Sequence, residues 1–440
     1  MAKQISKKIE IAKIKIWDQF VGAVAWDSRG FANFEYDSAF LKKGIQLSPI
    51  MMPNRENFIY QFSNLNKETF KGLPGLLADS LPDAYGNKII NAWLAQMGRS
   101  KDDFSPIERL CYMGKRGMGA LEFEPVLAKN SLNNSHRIEI DKLVDLANQI
   151  LSERKKLNVA FSKNDKSNKN AIEEIISISS SAGGARPKAI IAYNEKTKEI
   201  RSGQVEAPKG FDYWLLKFDG VSKKSLGLHD PLGFGKIEYA YYLMAEMSGI
   251  KISESKLFTE NNRSHFMTKR FDRENGKKIH MQTLCGLGHF DYNQAGAYSY
   301  EQAFQVIRKL NLSHEDTIQL FKRMIFNVLS RNQDDHTKNI SFLMAEDGKW
   351  NLSPAYDITY SFDSSNIWLS THQMSINGKR DNFKISDFEK IAKDENIKSW
   401  KSIFEEVLSG VLLWEKFAKD LEIEKEKITI IKKMHRLNLN

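Results

Sequence analysis

Past Gly286 the chain reads as a succession of helices broken once, and that break constrains the fold most. SYEQAFQVIRKL, HEDTIQLFKRMIFNVLS and the stretch from Asp387 onward carry apolar residues at helical spacing. Between them lies RNQDDHTKNISFLMAEDGKWNLSPAYDI, Arg331 to Ile358, whose Asp347-Gly348 pair turns a short hairpin from Ile340 to Leu352. Either its aspartates and asparagine cap and turn a scaffold, or together they hold a metal and a reacting hydroxyl.

Upstream the hydrophobic period is two rather than 3.6. IEIAKIKIW (Ile9 to Trp17), FVGAVAWD and FANFEYD read as a small antiparallel sheet. A helical pattern follows from about Pro82 to Met97, and GKRGMGALEFEP is a turn feeding a strand that ends at Pro125. Residues 1–128 are therefore expected to form one small α+β unit. A helix is expected near Ile138 to Glu153, then a polar run, FSKNDKSNKN, with no apolar face. IISISS, a hairpin through KAIIAYNEKTKEIRSG with its tip at Asn194 to Thr197, YWLLKFDG and the hairpin SKLFTENNRSHFMTKRFDR make residues 129–285 strand-rich. Within them IEYAYYLMAEMSGI is a helix closed by Gly249. Residues 286–440 form the helical lobe.

At 440 residues the chain is long enough for two or three lobes with real cores. No stretch approaches the roughly 18 apolar residues of a membrane span. MAKQISKKIEIAKIKIW lacks the apolar core of a secretory signal. Cys111 and Cys285 are too few for a disulfide framework or a zinc cluster. A reducing cytoplasm is the expected setting. The formal charge of +10 permits contact with nucleic acid or an acidic partner, or simply reflects a solvated lysine-rich surface.

Three stretches offer chemistry. In SSSAGGARPKAII, Gly183 and Gly184 let the backbone turn tightly and present N–H groups to an anion, with Lys188 four residues on. The spacing is not that of a Walker A loop, and a plain turn fits as well. The serines Ser179, Ser180 and Ser181 suit a flexible loop or a phosphorylatable one. Lys217 ends YWLLKFDG, where a lysine either snorkels from a strand end or projects into a cleft. Glu238 either pairs with it or is an ordinary first-turn acid. In DDHTKN, Asp334 and Asn339 are five residues apart with Lys338 between them, and Asp357 follows the hairpin. Phosphoryl transfer to a hydroxyl needs a proton acceptor, oxygen ligands for metal ions and a cation near the transferred group. Hard oxygen donors suit magnesium. The rival is a metal-dependent hydrolase built on Asp335-His336. The remaining eight histidines make no spaced pair to complete it, so His336 orients the loop or an aspartate.

In these residues the sequence resembles the HipA family of serine/threonine-kinase toxins. SSAGGARPK, the strand ending in Lys217, IEYAYYLMA, KRFDR (Lys269 to Arg273), DDHTKN and SPAYDI occur in family order across residues 10–440. The resemblance implies an α+β, protein-kinase-like two-lobed fold, with a strand-rich N-lobe and a helical C-lobe, preceded by a small HipA N-terminal subdomain. It implies ATP and Mg2+ as cofactors, Asp334 as catalytic base with Lys338 beside it, and Asn339 and Asp357 as metal ligands. Lys217 would contact the phosphates, and Ser181, Ala182, Gly183, Gly184 and Lys188 would form the phosphate loop. Met281, Thr283 and His336 complete the expected nucleotide contacts. HMQTLC (His280 to Cys285) stands at the expected adenine hinge, with Thr283 where an acidic residue would be natural. Autophosphorylation is expected at Ser181, with Ser180 or Ser179 as alternatives. The implied partners are a HipB-type helix-turn-helix antitoxin, which would carry any DNA contact, and a protein substrate such as an aminoacyl-tRNA synthetase. A catalytically silent relative that binds a repressor on DNA, or a kinase for a small molecule, would carry the same residues.

Overall fold

The computed structural model describes residues 8–96, 98–127, 135–144, 186–221 and 232–439. Ser179 to Gly184, the IISISS strand, the FSKNDKSNKN run and most of the helix expected from Ile138 lie outside the described residues.

The first sheet contains β1 (Ile11–Ile16), β2 (Gln19–Trp26), β3 (Ala32–Tyr36), β4 (Ile59–Tyr60) and β5 (Leu121–Glu124), in the order β4-β3-β2-β1-β5. Alternation in IAKIKI sends Ala12, Ile14 and Ile16 into the core. Trp17 and Asp18, at φ 49° and 60°, make the two-residue turn that suits the right-handed twist of paired strands. β5 returns against the free edge of β1, pairing Lys13 with Glu124. Two helices complete the unit. Ala84–Gln96 begins after Asp83, and Pro106–Met113 begins with a Ser105/Glu108 capping box and a proline in its first turn.

The second sheet has β6 (Lys188–Tyr193), β7 (Ile200–Ser202), β8 (Asp212–Lys217), β9 (Ser255–Glu260) and β10 (Arg263–Lys269), ordered β7-β6-β8-β10-β9. The helix Phe234–Met247 lies on it so closely that a Cβ at Gly235 would stand 1.9 Å from the carbonyl oxygen of Ser264. A two-residue hairpin, β11 (Arg273–Glu274) and β12 (Lys277–Lys278), leads out of the sheet.

The third sheet corrects one expectation. The hairpin of β14 (Ser341–Met344) and β15 (Trp350–Leu352) does not stand alone. β13 (His280–Thr283) adds to it, so the order is β13-β14-β15. HMQT is too short to carry a period of its own, and its partner, from Ser341 to Met344, lies far along the chain and is invisible to local pattern. Around this sheet pack the helices Tyr300–Lys309 and His314–Ser330, each started by a capping box, and four more from Ile385 to Met434. The N-terminal core takes in Cys285 and Met344 from this region, so the small unit and the helical lobe share apolar packing.

Candidate active site

Lys217 is the last residue of β8, opposite Lys188 on β6 and Phe266 on β10. Its Nζ donates to Glu238 Oε1 at 2.5 Å and to Asp357 Oδ1. Glu238 comes from the close-packed helix and Asp357 from the helical lobe, so one ammonium ties three elements together. Burial opposes the charge on Lys217, yet Asp357 and Glu238 outweigh it and raise its pKa. Burial likewise opposes the charge on Asp357, but Lys217 and Lys188 hold its carboxyl well below the usual range. Asp357 has φ +56°, a left-handed conformation uncommon outside glycine. Its side chain keeps 35% of its surface accessible, enough for a ligand to reach it.

The helix His314–Ser330 ends at Arg331, whose φ of +60° turns the chain into the DDHTKN loop. Asn339 donates through Nδ2 to the Asp334 carbonyl at 2.8 Å, and its backbone N–H donates to His336 at 2.8 Å. That bond leaves Oδ1 as the acceptor of the Asn339 amide, and Asn339 and Asp357 line one small cavity. A carboxylate and an amide oxygen are donors that fit a hard cation such as magnesium. Among the described residues no group of three or more histidines, cysteines or carboxylates is placed to hold a metal ion.

The two adjacent aspartates separate by environment. Asp335 is buried and accepts from Tyr300 Oη at 2.9 Å and the backbone N–H of Gln373 at 2.8 Å, with His372 Nδ1 at 2.9 Å. Asp334 faces the cleft, and Trp368 Nε1 donates to its Oδ1 at 2.9 Å. Burial, the largest influence, raises the pKa of Asp334, while the Trp368 bond and His336 act the other way. His336 lies 3.9 Å from Asp334 Oδ1 and packs its ring against Tyr292. Lys338 sits 4.8 Å over the Tyr292 ring. Burial works against its charge, but Cys285, Asp79 and Asp83 raise its pKa.

A cleft of about 1150 Å3 joins these residues to the N-terminal unit: Asp334, His336, Lys338 and Asn339 on one side, Asp79 and Asp83 on the other, with Met281 and Thr283 between. Lys188 is buried and lies 3.5 Å from Asp83. Thr283 donates through its N–H and its hydroxyl to Asp79, both at 2.8 Å. β10 ends at Lys269 and β13 already belongs to the third sheet, so the chain leaves the strand-rich lobe at KRFDR, ahead of His280 to Cys285. There Asp272 receives Arg270 at 2.7 and 2.8 Å, Arg273 at 2.8 Å and the Gly119 N–H at 2.7 Å. Arg273 also donates to Gly117 and Gly119. KRFDR thus clamps the N-terminal unit to the crossover. Asp79, Asp83 and Trp368 were missed from sequence. Only Asp83 carried a signal, as a helix N-cap in PDAYG, and nothing local marks the other two.

A strand-rich lobe and a helical lobe joined by one crossover, with a lysine–glutamate pair in the first and an Asp/Asn/Asp set in the second, define a protein-kinase-like fold. Residues 12–124 match the HipA N-terminal domain and residues 180–419 the HipA-like C-terminal domain. The chain belongs to the HipA family. It is similar to Y4mE of Sinorhizobium fredii, named as a candidate kinase, at 26% identity over 125 residues, 26% of this chain and 30% of that one. A candidate kinase of Haemophilus influenzae is 28% identical over 148 residues, 30% of this chain and 43% of that one. The chain thus spans less than half the length of these relatives. In fold it is similar to a chain from the Shewanella oneidensis MR-1 complex of toxin-antitoxin proteins HipA and HipB with operator DNA, at TM-score 0.65 and 16% identity, covering 96% and 94% of the two chains. Among the described residues no helix is long and apolar enough to cross a membrane.

Proposed function

We propose that this chain is an ATP- and magnesium-dependent serine/threonine protein kinase, the toxin of a toxin–antitoxin pair neutralised by a small helix-turn-helix antitoxin. It would be built of a subdomain over residues 1–128, an N-lobe over 129–285 and a C-lobe over 286–440. The observation that carries this reading is the Lys217 contact, in which one ammonium meets both Glu238 and Asp357 while Asp334 faces the adjoining cleft. Lys217, held charged by its two carboxylates, orients the phosphates. Asn339 and Asp357 would hold magnesium, which screens the charge on the transferred group. Asp334 takes the proton of the acceptor hydroxyl as its oxygen bonds to the γ-phosphorus and the bond to the β-phosphate oxygen breaks, releasing ADP. Lys338 supplies a second positive charge beside the reacting group.

Ser181 to Gly184 and Lys188 form the phosphate loop in this reading, Met281, Thr283 and His336 border the nucleotide, and Ser181 is the site of autophosphorylation. DNA is reached through the antitoxin, the setting is the cytoplasm, and an aminoacyl-tRNA synthetase is a fitting class of acceptor. The test is phosphosite mass spectrometry of a cell lysate incubated with the protein and ATP, with and without magnesium. Magnesium-dependent phosphoserine or phosphothreonine on a protein, together with phosphate on Ser181, is expected. Phosphate on small molecules alone would overturn the protein-kinase assignment.

A further inference from the structure

The segment after Asp357 folds back over the catalytic loop, and Asp335 fastens it there. Asp335 holds the backbone N–H of Gln373 at 2.8 Å and lies 2.9 Å from the His372 ring, while the Gln373 side chain donates to the Trp368 carbonyl. Asn366 Oδ1 caps the Trp368 N–H at 2.9 Å. Trp368 is thus fixed at both ends, and its indole N–H reaches Asp334 Oδ1 at 2.9 Å. Among the described residues this is the one hydrogen bond made to the Asp334 carboxylate.

The terminal torsion of an aspartate is broad and roughly twofold, so an unheld carboxylate would present either oxygen in a range of directions. Indole nitrogen donates only, and therefore fixes one oxygen while the other stays open to accept. We infer that Trp368 is a positioning residue for phosphoryl transfer: by holding Oδ1 it sets Oδ2 of Asp334 to receive the proton of the acceptor hydroxyl. The adjacent aspartates then divide one task, Asp335 anchoring the segment that orients Asp334. This inference rests on Asp334 being the base.

Two measurements on the full-length protein test it. Trp368→Phe keeps the ring and removes the donor. It is expected to lower kcat about tenfold or more while KM for ATP stays within about twofold, as for a bond to a charged group that matters in the transition state. In an Asp334→Asn background the same change is expected to add no further loss. The second measurement needs no activity. The Trp368 indole 1H–15N resonance, assigned by its disappearance in Trp368→Phe, should shift in Asp334→Asn while the indole signals of the chain's other seven tryptophans stay in place. Wild-type kcat in Trp368→Phe, or an unmoved indole resonance, overturns the role of Trp368 alone. A wild-type protein that transfers no phosphate overturns the kinase reading and this role with it, even if the resonance shifts.

Discussion

Asp334 and Asp335 share a backbone and nearly opposite surroundings. Asp335 is enclosed by Tyr300, His372 and the Gln373 amide, whereas the Asp334 side chain keeps 38% of its surface accessible at the cleft. Removing a buried acceptor strands its donors, each of which then pays part of its desolvation. Asp335→Ala is therefore expected to destabilise the protein by about 2–4 kcal/mol, read as a lowered urea midpoint. A loss within experimental error would mean that the segment carrying Trp368 does not depend on Asp335. The five-residue spacing of Asp334 and Asn339 was legible in the sequence because it is local and chemical. The anchoring role of Asp335 was not, because its partners lie 35 to 38 residues away with no shared pattern.

At the scale of elements, the helix Phe234–Met247 has to lie close to β10 for Glu238 to reach Lys217. A Cβ at Gly235 would come within 1.9 Å of the Ser264 carbonyl oxygen, a backbone atom that cannot swing aside. Gly235→Ala is expected to push the helix outward, cost about 1–3 kcal/mol, and reduce phosphoryl transfer more than it reduces stability. Transfer at the wild-type rate would show that the helix can shift without breaking the Lys217–Glu238 contact. Most elements were readable from their period: β1 to β3 by alternation, and the helices beyond Gly286 by their apolar stripes. The pairing of β13 with β14 is not legible, since a four-residue strand has too little sequence to declare its partner. The place of KRFDR follows from where β10 ends, at Lys269, which local pattern does not mark.

At the scale of the molecule, the N-terminal unit is joined to the rest by polar contacts as well as a shared core. Gly75 donates its N–H to His289 Nε2 at 3.0 Å, and inside the strand-rich lobe Asp219 donates its N–H to His265 Nδ1 at 2.9 Å. Each ring must stay unprotonated at that nitrogen, and burial brings both down to about 4. The unfolded chain, with histidines near 6.5, binds more protons than the folded one between those values. Stability conferred by these rings is therefore complete above about pH 6.5 and lost as the pH falls toward 4, by about 1–2 kcal/mol per histidine at pH 5. Urea unfolding at pH 7.5 and pH 5 checks the sign, and a higher midpoint at pH 5 would contradict it. Two lobes and a leading subdomain could be foreseen from the switch in hydrophobic period. The docking of that subdomain onto Thr283 through Asp79 and onto Lys188 through Asp83 could not, because long-range packing chooses which acid faces which partner. The central claim is that Asp334 accepts the proton in phosphoryl transfer. Its most direct test is transfer of labelled γ-phosphate from magnesium–ATP by wild-type and Asp334→Asn proteins of matched thermal midpoint. Transfer by the wild type and a loss of at least about a hundredfold in the variant are expected, and comparable rates in the two would contradict proton acceptance by Asp334.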